Sequence, residues 1–556
     1  MTFWIAFLST AIILVMMWHF YQSTALQKKY FAGIRVEWGK PTNKYRSFKL
    51  IAAYLNINNN DRNVSAETAA DIDMDGLYSF IDRTSSKPGE QYLYYKLHNT
   101  QTLESYFIAL EQKIYDLNLD ENKRERTQFK LSKLNHTEAY YLPQIFLKPH
   151  QSLFNPWEEF YIRVSAVVTI ALMVLLIVLP NQFYFFLLIG MLITNTLLHF
   201  RNKAKVMSYT RSLPQLIELY NVGKWLSKEY APVPNTVKQS LAHLHYMKRS
   251  LSIINLQQFI ASDPTDLMYL VFEWLNMFLL IEPLIFLSSI KKVNKYLGDI
   301  KGIYEFVAEI DLAISIQSVR DGLPYYCKPN FTASTDKMTI ASLYHPLVEN
   351  CVPNSILSYS SQGALITGSN MSGKTTFIRA VTINTLLAQT LNTCCANLYE
   401  VPPLNIFTSI HITDDINTHK SYFQAEAISI LNIIDHCTIQ QPFKSLVVID
   451  EIFRGTNTIE RVAAAKAVLA YLIANKNFVF VSTHDLELAQ LLGDDYAVYS
   501  FEEQAGNQRL MFDYKIKRGL LKNKNGIAVL QGMRYPQTII NDAYKVSQAL
   551  RDKYEL

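Results

Sequence analysis

The stretch at 363–377, GALITGSNMSGKTTF, constrains this chain more than any other. It fits the spacing G-x-x-x-x-G-K-[ST], from Gly368 through Gly373 and Lys374 to Thr375. The apolar run 364–367 reads as a strand leading in, and 377–391 carries a helical pattern leading out. Strand, glycine-rich turn and helix in that order are what a phosphate-binding loop requires. Glycines let the backbone wrap a phosphate chain, and successive N–H groups at the helix N-terminus face it. The reading makes Gly368, Ser369, Asn370, Met371, Ser372, Gly373, Lys374, Thr375 and Thr376 candidate nucleotide-binding residues. Lys374 is expected to reach the β and γ phosphates, and the Thr375 hydroxyl to ligate Mg²⁺.

Two further strand ends extend this reading. The run SLVVI at 445–449 is continuously apolar, as a buried parallel strand should be, and it ends in Asp450-Glu451. Beside a phosphate loop, Asp450 is placed to hold Mg²⁺ and Glu451 to orient or activate the attacking water. A third run, FVFVST at 478–483, ends in His484, a candidate γ-phosphate sensor. A lone acidic pair or a lone histidine after a strand is more often structural. Three such ends in this order point to an ATP hydrolase that uses Mg²⁺, with Lys374, Glu451 and His484 as its catalytic candidates.

At this point the chain resembles the MutS family, across residues 340–545. The segment YHPLVE at 344–349 is similar to the family's approach to the loop, and TGSNMSGKTT to its T-G-x-N-M-x-G-K-[ST]-T. IFTSIHITDDINTHKSYF at 406–423 resembles the segment in which a serine and a phenylalanine, here Ser421 and Phe423, follow an Asp-Asp pair. The resemblance implies that Ser421 reaches the nucleotide of a partner subunit, and hence a homodimer through the ATPase domains. VVIDEIFRGTNTIE and STHDLELAQLL resemble two further family blocks. In the closing segment, 512–529, Tyr514 falls where the family stacks a ring on adenine. The chain departs from the pattern at His411, His419 and Phe453, where glycine is usual, and near Cys351 and Val352, where a second aromatic is common. None of these departures touches phosphate or Mg²⁺ chemistry. More weakly, Thr84, Gly89 and Leu97 fit the spacing that opens the family's helical core. Before residue 71 there is no room for a mismatch-reading domain of the usual size, and mismatch recognition is not carried over.

Apolar runs supply the other strong constraint. Residues 3–20 carry no formal charge, and 164–180 and 183–200 are two more such runs separated by a Pro-Asn-Gln turn. Each approaches the roughly 20 residues a helix needs to span a bilayer. The first has neither the basic flank nor the cleavage site of a signal peptide. Lys28, Lys29, Arg35 and Lys40 follow it, Arg163 precedes the pair, and Arg201, Lys203 and Lys205 follow. By the positive-inside rule the N-terminus is outside, 21–160 is cytoplasmic, and the pair forms a hairpin that returns the chain to the cytoplasm. An inner-membrane protein with its ATPase on the ATP side is expected. The stretch 267–290 is also apolar but holds Glu273, Glu282 and Pro283, and it reads as a buried core helix or lever that grazes the membrane at most.

The expected architecture is an α/β C-terminal P-loop ATPase domain joined to an α-helical lever and core, with three transmembrane helices. Its boundaries are an anchor at 1–22, helical core at 23–160, hairpin at 161–200, lever at 201–330 and ATPase at 331–556. Length, 49% hydrophobic residues and a mean hydropathy of +0.03 suit a few spans on a large soluble body. A net charge of +5 is too modest to announce nucleic acid. The cysteines lack metal-ligand spacing, and adjacent Cys394 and Cys395 suit a reducing compartment. An ABC-type transporter is disfavoured, because three spans are few and no L-S-G-G-Q signature follows the loop. Two classes of ligand stay open: DNA, implied by the resemblance alone, and a protein or other ligand worked by the same dimer switch.

Overall fold

The computed structural model describes residues 17, 18, 21, 24–58, 64–100, 104–147, 154–210, 213–260, 267–332, 336–369, 371–411, 422–438, 443–505, 510–520, 527, 530, 531, 533 and 535–554. Asn370, Ser421, His419 and nearly all of the run 3–20 lie outside them. The chain divides into two compact units. One comprises Met1–Asn59, Asp82–Tyr95 and Ala109–Ser318; the other comprises Asn60–Ile81, Lys96–Ile108 and Val319–Leu556.

Within the described residues, the first unit is helical. Helix α1, Pro156–Val178, opens with proline in its first turn, and the Glu158 side chain accepts from the Asn155 N–H at 3.2 Å. Helix α2, Gln182–Thr210, follows a turn in which Asn181 Oδ1 accepts from Phe183 N at 2.9 Å. Both are long and apolar enough to cross a membrane, with mean hydropathies of 2.5 and 1.7 over their best windows. Many of their large apolar side chains, among them Val167, Ile177, Phe186 and Leu197, stand exposed, although Ile162 and Leu172 are buried.

The stretch 267–290 is not one core helix. It forms α3, Leu267–Leu279, and α4, Ile281–Lys295, bent by 70° at Leu280, whose φ is 51°. Leu280, Phe286, Leu287 and Ile290 are buried with Phe154 and Ile162, whereas Val271, Trp274 and Leu275 of α3 are exposed.

In this unit Gly89 of the Thr84–Leu97 pattern has a specific reason. A Cβ there would meet Asp311 Oδ2 at 2.1 Å. That fully buried carboxylate accepts from Ser85 N at 2.9 Å and Ser86 N at 2.8 Å, fixing the entry to the helix Lys87–His98, where Ser86 Oγ caps it by accepting from Gly89 N at 3.1 Å. The closeness that glycine permits places the cap.

The second unit is built on two sheets. The smaller contains β1, Asn330–Phe331, β2, Lys337–Leu343, β3, Asn354–Tyr359, and β5, Leu398–Val401, in the order β1-β5-β2-β3. The larger contains β4, Gly363–Gly368, β6, Leu404–Ser409, β7, Lys444–Asp450, β8, Phe478–Thr483, β9, Tyr496–Ala505, and β10, Leu510–Arg518. Its order is β10-β9-β4-β8-β7-β6, parallel throughout except for the β9–β10 pair. The continuous apolar runs are explained by burial on both faces. Ile366, Val448 and Phe480 enter one core with Phe377 and Val381 of α5, Lys374–Leu391. Leu365, Val447 and Val479 enter the other with Ile430 and Ile433 of α6, Tyr422–Thr438, and Leu469 and Leu472 of α7, Thr458–Ala474. Parallel strands with helices on both faces gather their C-terminal ends on one edge, the usual seat of a ligand in such sheets.

Candidate nucleotide and catalytic site

Glycine sets the loop between β4 and α5. Gly368 has φ 150°, and a Cβ on it would meet Ser372 Oγ at 2.8 Å and Phe501 O at 2.9 Å. Gly373, at φ 105°, is the N-cap of α5 and lies against Tyr514, whose Cδ1 would be 3.3 Å from an added Cβ. The turn brings Lys374 back over itself: its Nζ donates to Gly368 O and Ser369 O, both at 2.8 Å, and lies 3.4 Å from His484 Nε2. A buried ammonium facing carbonyls at a helix N-terminus is a cradle of positive potential.

The three strand ends converge. Thr375 Oγ1 donates to Asp450 Oδ2 at 2.8 Å, and Ser482 Oγ donates to Asp450 Oδ1. Glu451, the next residue, has φ 56°, which turns its side chain away from Asp450 towards β8. Its Oε1 lies 2.7 Å from His484 Nε2 and its Oε2 accepts from Arg454 Nε at 2.9 Å. The hydrogen bond to His484 holds the Glu451 carboxyl below the usual carboxylate range, so it stands ionised at neutral pH. Arg461 of α7 grips Asp485 through two bonds, at 3.0 and 2.7 Å, and so fixes the residue after His484.

A cavity of about 410 Å³ adjoins the loop. Ser369, Lys374 and Thr375 of the loop line it together with His345, Cys351, Val352 and Tyr514. Tyr514 sits in a break of the β9–β10 register between Phe512 and Ile516, at φ 51°. Asn354 supports it, donating to Tyr514 O at 3.0 Å and accepting from Ile516 N at 2.8 Å. Burial pushes the His345 imidazole down to about 4, so a neutral ring whose Nδ1 accepts from Leu347 N completes an apolar wall. The cavity thus combines the cationic Lys374 and the loop with an aromatic ring, Tyr514, that a planar heterocycle could stack on.

For Mg²⁺ the residues fit. Thr375 Oγ1 and Asp450 Oδ2 are hard oxygen donors already in contact beside the cradle.

Two carboxylates that sequence reasoning missed hold this site from behind. Glu426 of α6, itself buried, accepts from Phe453 N and so pins the loop after Glu451; burial raises its own pKa. Phe453 has φ 61°, the conformation glycine adopts at no cost, which explains why glycine is usual there. Its ring packs 5.8 Å from Phe423, in the first turn of α6, while Gly455 leaves room for Phe423. Asp71, at the end of the helix Ala66–Asp71, accepts from Thr408 Oγ1 at 2.6 Å, Ile410 N at 2.9 Å and His411 N at 2.7 Å. It therefore clasps the end of β6, immediately before the segment that contains Ser421. Acidic residues with no local motif around them gave no signal for either role.

Residues 364–551 match the family described as MutS domain V. Among the curated relatives, the DNA mismatch repair protein MutS of Ruminiclostridium cellulolyticum is 31% identical over 282 residues, 48% of this chain and 32% of the relative. The protein of the same name from Thermosipho melanesiensis is 26% identical over 372 residues, 65% of this chain and 44% of the relative. That from Clostridium botulinum strain Langeland is 34% identical over 245 residues, 41% and 26% respectively. The chain spans about a third of the length of the curated relatives it matches.

Proposed function

Because the chain belongs to the MutS family through its C-terminal domain, we propose that it is a membrane-held ATPase of that family, switching between states as it binds and hydrolyses ATP in a paired site. The observation that carries the reading is the convergence of Lys374, Thr375, Asp450, Glu451 and His484 from three separate strand ends, where His484 reaches both Lys374 and Glu451 and Thr375 reaches Asp450.

The chain's groups divide the work. The loop N–H groups and Lys374 hold the phosphates, and Tyr514 offers its face to the base. Thr375 and Asp450 would hold Mg²⁺, which when bound neutralises charge on the phosphates. Glu451, kept ionised, orients a water and accepts its proton. His484 fixes the rotamer of Glu451 through the 2.7 Å contact and stands beside Lys374, where a terminal phosphate would lie. Arg454 steadies the other oxygen of Glu451. Ser421, placed by resemblance, completes the site of a second copy.

Support for the membrane part is the pair α1 and α2, apolar, of spanning length and exposed along their large side chains. Burial of such surface in lipid is worth roughly 25 cal/mol per Å². With the flanking basic residues, the reading is an inner-membrane protein whose hairpin returns to the side of the ATPase. The ligand worked by the switch is proposed to be DNA, on the strength of the relatives' names.

The test is a double one on the detergent-purified chain. ATP turnover should require Mg²⁺ and vanish in Lys374→Ala. Binding to a labelled duplex should weaken steeply between low and moderate salt, as phosphate contacts do. Salt-independent or absent DNA binding by a protein that turns over ATP would move the ligand to a protein or other class.

A further inference from the structure

The bent pair α3–α4 lies in the stretch that joins the hairpin region to the ATPase, and it has features that a lever helix in water does not need. We propose that it is a re-entrant membrane element: α3 enters the cytoplasmic leaflet alongside α2, the chain turns at Leu280, and α4 returns to the same side. This rests on the membrane reading of the hairpin and adds a second lipid-contacting surface.

Position along α2 sets the depth. Glu273 of α3 pairs with Lys203 and lies 3.8 Å from His199, at the basic end of α2. Five residues further along α3, Phe278 O accepts from Asn195 Nδ2 at 2.6 Å. Asn195 precedes Arg201 by six residues, which is about 9 Å of helix. Thus α3 runs antiparallel to α2 and ends within the apolar part of the hairpin. Helix α4 then packs Phe286, Leu287 and Ile290 with Phe154 and Ile162, at the start of α1. That is the end from which α3 came, so the pair dips and returns.

A helix break in hydrocarbon leaves orphan backbone groups that no water can satisfy, so such breaks occur only where protein supplies partners. Two such partners flank the break. Asn195, itself oriented by Tyr161 OH at 2.8 Å, satisfies the carbonyl end of α3. Asn276, fully buried, accepts from Glu282 N at 2.8 Å through Oδ1, at the amide end of α4. Pro283 in the first turn of α4 has no N–H to satisfy. The outer face of α3 completes the case. Val271, Trp274 and Leu275 are 51%, 60% and 46% exposed, and Leu197 and Phe200 of the neighbouring α2 are exposed as well. The occupant that fits these exposed apolar side chains is the acyl region of the bilayer, with Trp274 near the headgroups as interfacial tryptophans are.

The experiment uses the unmodified full chain in phosphatidylcholine–phosphatidylglycerol vesicles containing a lipid with a diazirine on its acyl chain. After irradiation, adducts are mapped by peptide mass spectrometry. The expected result is adducts on 183–200 and also at Val271, Trp274 or Leu275. Adducts on the hairpin with none on 267–279 would overturn the proposal and leave the hairpin reading intact. Adducts on neither would overturn the membrane reading itself. Sidedness is read with an impermeant amine reagent on inverted and right-side-out vesicles. Exposed Lys295 should react only where exposed Lys337 of the ATPase unit reacts. Labelling of the two from opposite faces would make the pair a crossing helix and overturn the re-entrant assignment.

Discussion

Glu451 is held by two opposite grips, His484 on one oxygen and Arg454 on the other, so its charge and its rotamer are separable. Glu451→Gln keeps the shape and removes the charge. It should bind ATP normally and lose turnover by roughly 10²- to 10⁴-fold, the range for loss of a general base. His484→Ala should lose less, because it frees the rotamer without removing the base; single-turnover hydrolysis of labelled ATP ranks the two. Glu426 touches no substrate in this account and acts through the Phe453 N–H it accepts. Glu426→Ala should therefore lower kcat with little change in ATP affinity, while equal loss of binding would make it a folding residue instead. Lys374, Thr375, Asp450, Glu451 and His484 are legible in the sequence because each sits in or immediately after a strand with its own local pattern. Glu426 reaches its partner across 27 residues and Asp71 across 337, separations at which no spacing rule operates.

At the scale of elements, buried carboxylates do the joining. Asp71 binds the Ala66–Asp71 helix to the end of β6 with three hydrogen bonds. Asp71→Ala leaves those buried donors without a partner, at about 1–3 kcal/mol per lost group. A lowered melting temperature is expected, together with weaker ATP-driven pairing, since β6 leads into the Ser421 segment. Asp311 is pushed by burial from 3.8 up to about 7. Its folded pKa is the higher, so the folded state holds a proton the unfolded state has released. This group's contribution is full at low pH and is lost as pH rises through about 7. The melting-temperature advantage of the native chain over Asp311→Asn should therefore shrink between pH 5 and pH 8; an advantage that grows would contradict the burial argument. The strands and α5 follow from hydrophobic pattern. The break at Leu280 does not, because a leucine in left-handed backbone carries no sequence mark and its support comes from Asn195 on another helix.

On the scale of the whole molecule, the proposed function joins a MutS-type ATP site to a bilayer anchor in one chain. Apolar runs of spanning length are read directly from composition, and the helices Pro156–Val178 and Gln182–Lys203 have the length and hydropathy the sequence suggested. The division into units was less legible: residues 60–81 and 96–108 group with the C-terminal unit, through long-range contacts such as the Phe107–Phe331 ring stack rather than local pattern. Glu451→Gln with ATP should sediment as a dimer in detergent, and a strict monomer with bound ATP would refute the composite site. Most direct is a flotation assay in which vesicles carrying the protein are washed in alkaline carbonate, floated through a density gradient and assayed for Mg²⁺-dependent ATP hydrolysis. The account predicts activity that floats with the lipid in the native chain and is missing from floated Glu451→Gln protein of equal amount. Activity that stays in the soluble fraction, or that survives Glu451→Gln unchanged, would contradict it.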